Sequence, residues 1–211
     1  MKFELLQRNL GFLREFDEKN LSDFKKRLEI YEKLFQNYGK VHNISAFRQL
    51  ENEIIDSLKI LDFKDLNFVQ NAIDIGSGAG FPALFLALIL KAKFTLFEPN
   101  AKKAAFLMLA KSELGLGNVC VVKSKIELHT PKFKANLITS RALMKIPHLI
   151  TLCEGFYDEN SLFLFYKGSQ LQGELEGLKG LKREDLNGVK NCEIFEFGKR
   201  RYCLLSGVKF C

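Results

Sequence analysis

Paired-cysteine signals are missing from this 211-residue chain. Its five cysteines (Cys120, Cys153, Cys192, Cys203 and Cys211) are odd in number, scattered and never spaced C-x-x-C. That pattern suggests neither a disulfide framework nor a zinc site, so no metal is expected and a reducing compartment fits best. Long apolar runs are missing too. The longest, Phe81 to Leu90, reaches about half of the ~20 residues needed to cross a bilayer, so no membrane partner is expected. The opening stretch MKFELLQRNL mixes charges into its apolar positions, unlike a secretory apolar core or an acid-poor transit peptide. A cytoplasmic location is the expectation. No internal repeat or low-complexity segment occurs.

What is present is ordinary for a globular protein: 47% apolar and 27% charged residues, over a length slightly above that of one domain. Such a chain can bury a sizeable core without disulfides or metals. Its formal net charge of +7 is unevenly placed. Residues 1–70 hold 12 Lys+Arg against 12 Asp+Glu, and residues 71–211 hold 20 against 13. The whole excess falls in the larger part, which points to a polyanion such as nucleic acid. A moderately basic protein is common, however, so charge by itself does not decide.

Apolar residues at Phe24, Leu28, Tyr31, Phe35 and Tyr38 recur in steps of 4, 3, 4 and 3, the mark of one helix face. Ser22 is placed to cap that helix and Gly39 to end it. The same periodicity predicts a helix through Phe3, Leu6, Leu10, Leu13 and Phe16, and a third from about Leu50 with Ile54, Ile55, Leu58 and Leu61 buried. Residues 1–66 thus read as a helical segment packed on the remainder, residues 67–211. From Val69 short apolar runs alternate with longer periodic ones: NAIDIG, FPALFLALIL, KFTLFE, AKKAAFLMLAKSEL and NVCVVK. This is strand, helix, strand, helix, strand, and near-continuous apolar strands belong to a parallel sheet covered on both faces. ANLITS, SLFLFY, CEIFEF and RYCLLSGV supply further strands, the last two close enough for an antiparallel hairpin. GELEGLKGLKREDLNG reads as a helix with frayed ends or as a loop. The fold class is α/β.

The strongest local signal is Ala72-Ile73-Asp74-Ile75-Gly76-Ser77-Gly78-Ala79-Gly80-Phe81-Pro82, a strand running into a glycine turn and then a helix. Glycine permits positive φ and lets backbone N–H groups approach a ligand, while a helix N-terminus adds partial positive charge. A tight turn without a ligand is the plain alternative, but three glycines in five residues weaken a fold unless something uses the space. Spacing then selects the ligand class. A dinucleotide turn is G-x-G-x-x-G, and the last of those positions is here Phe81. Gly76, Gly78 and Gly80 instead form G-x-G-x-G, which resembles the motif of class I S-adenosylmethionine-dependent methyltransferases. Glu98 closes the next strand, 22 residues after Gly76, where a carboxylate can accept hydrogen bonds from both ribose hydroxyls. Nicotinamide enzymes use such an acid too, so Glu98 supports a nucleoside without choosing it, and a solvated charge at a strand end is its alternative.

In a class I fold the segment after the third strand contacts the adenine. By that resemblance Ile126 and Glu127 of Lys123-Ser124-Lys125-Ile126-Glu127 fall to the cofactor, although S-x-x-E is equally a helix capping box. Arg141 ends the fourth strand at the carboxyl edge of the sheet, where ligands bind in open α/β folds. A structural ion pair is its other reading.

From about Val41 to Val208 the chain resembles the small-subunit ribosomal RNA guanine-N7 methyltransferase family, also called the glucose-inhibited division protein B family. Val41-His42-Asn43-Ile44-Ser45-Ala46 resembles its N-L-T-A segment, Ile55-Asp56-Ser57-Leu58 its L-D-S-L helix, and Asp74 to Pro82 its D-[VI]-G-[TS]-G-x-G-F-P loop. Phe97-Glu98 with Lys102-Lys103 and Phe106-Leu107 resembles its acid, G-K-R and F-L series. Ser124 to Glu127 resembles S-R-x-E, Ser140-Arg141-Ala142 is similar to S-R-A, and Lys167-Gly168 to K-G; Arg200 sits where the family has an Arg near the final strand. Four positions depart. Asn52-Glu53 stands where the family often has Arg-His, Ala83 replaces a frequent glycine, and Glu98 stands where Asp is frequent.

The resemblance implies a class I Rossmann-like fold: a mostly parallel seven-stranded sheet, helices on both faces and an N-terminal helical segment. It implies S-adenosyl-L-methionine as cofactor, S-adenosyl-L-homocysteine as product, and methyl transfer to N7 of a guanine in a loop of 16S ribosomal RNA. That RNA or the small ribosomal subunit is the implied partner, and a monomer is expected. Guanine N7 carries an in-plane lone pair, so its methylation requires alignment and desolvation but no proton removal and no covalent nucleophile. Ala135 to Pro147 accordingly holds no cysteine of the kind that pyrimidine-C5 enzymes need. Adenine-N6 enzymes commonly show there an acid or Asn, two prolines and an aromatic, whereas this chain has Ser-Arg-Ala. Gly76, Gly78, Gly80, Phe81, Glu98, Ile126, Glu127 and Arg141 are the expected cofactor contacts. Arg141 is the residue expected nearest the chemistry, bridging cofactor and target through guanine O6 or a phosphate. Lys167, Lys199, Arg200 and Arg201 are the candidates for the RNA backbone, a solvated hairpin turn being the alternative for the basic run. Other functions stay open to the sequence: a methyltransferase for a different substrate, a noncatalytic nucleotide- or RNA-binding module, or, against the glycine spacing, a nicotinamide dehydrogenase.

Overall fold

The computed structural model describes residues 1–42, 49–141, 143–179 and 189–209. Within them seven strands form one sheet: β1 (Asn71–Ile75), β2 (Lys93–Phe97), β3 (Val119–Val122), β4 (Leu137–Arg141), β5 (Leu162–Lys167), β6 (Asn191–Phe197) and β7 (Arg200–Ser206). Their spatial order is β3-β2-β1-β4-β5-β7-β6. The first five pair in parallel, and β7 enters antiparallel between β5 and β6. The expected β6–β7 hairpin is therefore present, turning at Gly198-Lys199. Chain order reverses at β1, with β2 and β3 on one side and β4 onward on the other. Such a switch point opens a crevice outside the carboxyl ends of the strands.

Alternate residues of a strand face opposite ways. Ala72, Phe94, Leu96, Leu137, Leu164 and Tyr202 thereby join one core, and Ile73, Ile75, Phe97, Ile138, Phe163 and Cys203 the other. The first core is covered by α1 (Phe3–Asn9), α2 (Glu18–His42), α3 (Leu50–Leu58), α4 (Ala83–Ile89) and α5 (Ala101–Glu113). The second lies under α6 (Ile146–Leu152) and α7 (Leu171–Lys179). Burial on both faces is why the parallel strands read as unbroken apolar runs. Phe3, Leu6, Phe24, Leu28, Tyr31 and Ile54 from the N-terminal helices share one core with the sheet.

Helix boundaries differ from the expected ones for identifiable reasons. Asp17 rather than Ser22 caps α2, its Oδ1 accepting the Asn20 amide at 2.7 Å. α2 also continues through Gly39 to His42. One glycine costs a helix only ~1 kcal/mol, and Tyr38 ties the last turns to α5 through a 3.0 Å hydrogen bond to the Lys102 carbonyl. The predicted first helix breaks at extended Leu10 and resumes as a 3-10 turn, Gly11–Glu15. There Asp62 accepts the Gly11 and Phe12 amides at 2.9 and 2.8 Å. α3 likewise tightens into a 3-10 turn, Lys59–Asp62, whose winding buries Ile60 and leaves Leu61 half-buried. α6 is an element beyond those expected. The region expected as helix or loop begins as α7, and residues 180–188 lie outside the described residues. So do residues 43–46 and Ala142 of the quoted motifs. No helix among the described residues is long and apolar enough to cross a membrane.

Candidate active site at the carboxyl edge of the sheet

β1 ends at Ile75, and the chain then turns through Gly76, Gly78 and Gly80 at φ 71°, 57° and 99°. Side chains rarely adopt that region. At Gly80 a Cβ would also collide with the Leu84 side chain, so this position requires glycine twice over. Helix α2 fixes the turn from the core side: the Tyr31 hydroxyl donates to the Ala79 carbonyl at 2.6 Å. Burial pushes the Tyr31 phenol well above its usual pKa, which keeps that donor protonated. Phe81 stacks on Phe85 at 4.8 Å and meets the Tyr31 ring edge-on at 5.8 Å.

Glu98, just past β2, is buried rather than solvated. Its Oε2 accepts the Gly78 amide and its Oε1 the Asn100 amide, both at 2.8 Å. One carboxylate therefore joins the glycine turn to the start of α5. Asn100 caps that helix by accepting the Lys102 and Lys103 amides at 3.0 and 3.2 Å. Each oxygen of Glu98 keeps a further lone pair for a ligand hydroxyl.

Beside Gly76, a cavity of about 140 Å³ is lined by Ile75, Phe97, Pro99, Ile126, Leu143 and Met144, among others. Whole-ligand pockets span ~300–1,000 Å³, so this slot suits one flat ring, with the rest of a nucleoside lying along the open turn. Ile126 is buried in its wall, and Glu127 is exposed at its rim, 3.8 Å from Lys125 Nζ. Ser124 donates to the Lys125 carbonyl at 3.2 Å, and no side chain caps the short 3-10 turn that follows, so S-x-x-E forms no capping box. The apolar slot, the buried carboxylate and the glycine turn lie together at the carboxyl edge of β1 and β2.

Asp74 lies inside β1, 1% exposed. Its Oδ1 accepts the Thr139 hydroxyl at 2.5 Å, and its Oδ2 is buried without a hydrogen bond. Burial, aided by the charge of Glu98, pushes the Asp74 carboxyl up to about 6 against the opposing pull of Ser77, Thr139 and Arg141. At the end of β4, the Arg141 guanidinium lies 4.9 Å from the centroid of the Phe81 ring. Its Nη2 is 2.6 Å from Glu53 Oε2 of α3, with side chains 6% and 20% exposed. That oxygen has no aligned hydrogen bond, so the contact is an ion pair held by charge. Arg141 thus forms an ion pair while standing at the crevice.

A second recess of about 460 Å³ shares Leu143 and Met144 with the slot and is lined by Tyr166, Lys167, Ser169 and Arg200, among others. Lys167 is 7% exposed: its ammonium donates to the Met144 carbonyl at 2.6 Å and pairs with Glu174 at 2.7 Å. Arg200 pairs with Asp56 of α3 at 2.8 Å. Arg201 pairs with Glu196 at 2.8 Å and reaches the Ser169 carbonyl at 3.4 Å, and Lys199 is exposed on the hairpin turn. Lys167 and Arg200 therefore meet at the recess, Arg201 approaches it, and Lys199 stands apart. An open recess of about 540 Å³ near Phe12 and Phe63 adjoins the loop leading into β1 and lies away from the carboxyl edge. Sequence reasoning quoted Glu53, Asp56 and Asp74 within compared motifs but gave them no role in the site. An acid within an apolar strand was a usable signal for Asp74, whereas the partners of Glu53 and Asp56 lie far along the chain.

Comparison with known proteins gives the family and the fold. The family model described as "GidB: rRNA small subunit methyltransferase G" matches residues 24–202. The chain is 42% identical over 201 residues to ribosomal RNA small subunit methyltransferase G of Campylobacter jejuni (strain 81-176), covering 95% of this chain and 100% of that protein. It is 46% identical over 194 residues to the protein of that name from Campylobacter hominis, covering 92% and 98%. Among solved structures, a SAM-dependent O-methyltransferase from Thermotoga maritima shares the fold at TM-score 0.59 and 16% identity, covering 74% of this chain and 65% of that one.

Proposed function

The chain belongs to the rRNA small subunit methyltransferase G family, and from that membership we propose that it methylates N7 of a guanine in a loop of 16S ribosomal RNA. It is an S-adenosyl-L-methionine-dependent methyltransferase. When bound, S-adenosylmethionine would supply an electrophilic methyl group on sulfur to the in-plane N7 lone pair and would leave as the neutral thioether S-adenosylhomocysteine. The chain's own residues bind and align. Gly76, Gly78 and Gly80 open the turn, with Phe81 packed behind it. Glu98 receives the ribose hydroxyls, and Ile126 and Glu127 flank the base slot. Arg141 stands where cofactor and target meet. Lys167 and Arg200 shape the recess from inside their ion pairs, while Lys199 and Arg201 face the RNA backbone from the hairpin. Residues 1–66 brace the methyltransferase domain, residues 67–211, in a cytoplasmic monomer whose partner is the small ribosomal subunit or its RNA.

The observation that carries this reading is the adjacency of two cavities. Among the described residues, Leu143 and Met144 line both the apolar slot and the recess at which Lys167 and Arg200 stand, an arrangement that suits transfer from a nucleoside to a nucleotide. The test supplies purified protein and methyl-labelled cofactor to small subunits lacking the modification and maps the labelled nucleotide. Label at guanine N7 of 16S RNA is expected. Label on protein, or on another base, would overturn the proposal.

A further inference from the structure

A methyl donor bound along the glycine turn would bring a second positive charge to this site. S-adenosylmethionine carries a sulfonium, and the Arg141 guanidinium lies against Phe81 of the glycine turn. Uncompensated, two like charges held in one partly dry crevice repel more strongly than in water, because the effective dielectric there is far below that of water. The product S-adenosylhomocysteine has a neutral thioether and meets no such repulsion. An unpaired guanidinium would therefore favour product over substrate.

Among the described residues, Glu53 is a carboxylate in direct ion-pair contact with Arg141. Asp74 is within coulombic reach of Arg141, but its own hydrogen bond is to Thr139. Glu98 is engaged by the Gly78 and Asn100 amides. We propose that Glu53 is a charge-compensating positioning residue: it holds Arg141 beside the glycine turn and cancels its charge there, so that the cationic methyl donor is accepted. This rests on the cofactor reading above. Helix α3 can serve because other contacts fix it to the sheet: the Tyr166 hydroxyl donates to the Ser57 carbonyl at 2.8 Å, the Tyr202 hydroxyl to the Asp56 carbonyl at 3.0 Å, and Arg200 pairs with Asp56 at 2.8 Å. Glu53 can thus lose its charge without releasing the helix.

The experiment compares calorimetric affinities for the two nucleosides in the full-length protein and in Glu53→Gln, Glu53→Asp and the double variant Glu53→Gln, Arg141→Gln. Glu53→Gln is expected to bind S-adenosylmethionine roughly tenfold more weakly while its affinity for S-adenosylhomocysteine stays within about twofold of the parent's. Glu53→Asp, which keeps the charge, and the double variant, which removes both charges, should return the ratio of the two affinities toward that of the parent. Equal losses for both nucleosides in Glu53→Gln would mark a merely structural role and overturn the proposal, as would an unchanged ratio. A parent protein that binds neither nucleoside would overturn the cofactor reading itself, and the proposal with it.

Discussion

Glu98 and Gly78 are joined by a 2.8 Å hydrogen bond in which the backbone amide of the glycine turn donates to the buried carboxylate. The acid after β2 and the turn after β1 are therefore one unit, braced through Asn100 to the start of α5. Glu98→Gln keeps the shape but offers one acceptor oxygen to two amide donors, leaving one donor facing an NH₂ group. Cofactor affinity should fall at least tenfold, and stability by ~1–3 kcal/mol. Calorimetry and urea unfolding of the variant measure the two effects.

Gly80 is held at φ 99° with its Cβ space taken by Leu84. Gly80→Ala should cost ~2 kcal/mol or more from backbone strain and overpacking. Gly117 has open space around a Cβ and no positive φ, so Gly117→Ala should be neutral or slightly stabilising. Unfolding midpoints of the pair separate a constrained turn from a general intolerance of alanine.

Asp74 makes stability depend on pH with a definite sign. Its carboxyl titrates at about 6 in the fold against 3.8 ordinarily. Between those values the folded state alone keeps the proton, so this group's contribution is full below pH ~4 and is lost as pH rises through ~6. The stability of Asp74→Asn relative to the parent should therefore improve by up to ~3 kcal/mol between pH 4 and pH 7.5. Denaturant titrations at the two pH values read this difference directly, and a flat difference would mean that Asp74 titrates normally.

Lys199 is exposed on the hairpin turn and Arg201 is half-buried in a pair with the exposed Glu196, whereas Lys167 and Arg200 are held in more deeply buried pairs. Changing Lys199 and Arg201 together to alanine should weaken RNA binding and lower its salt slope by roughly one counterion for each phosphate that the protein no longer neutralises. Cofactor affinity should be untouched. An unchanged salt slope would place the RNA backbone elsewhere on the protein.

Much of this architecture was legible because local chemistry and global fold agree. The run from Ala72 to Pro82 announces strand, turn and helix by composition alone, and the β6–β7 hairpin follows from two apolar runs around Gly198-Lys199. α6 was not legible: IPHLITL spans two turns, too few for helical periodicity to stand out from a strand-like apolar run. Asp17 and Ser22 are both good caps, and only the register of the Asn20 amide decides between them. The site shows the same division. Gly76, Gly80 and Glu98 declare themselves by spacing, while the pairing of Arg141 with Glu53 depends on how α3 packs against the sheet, which no local pattern encodes.

The most direct test concerns the nucleoside in the crevice outside β1 and β2. Titrating the purified protein with S-adenosylhomocysteine in a calorimeter should give a saturable, one-site heat that S-adenosylmethionine competes away and nicotinamide adenine dinucleotide does not. Heat with the dinucleotide and none with S-adenosylhomocysteine would contradict the account.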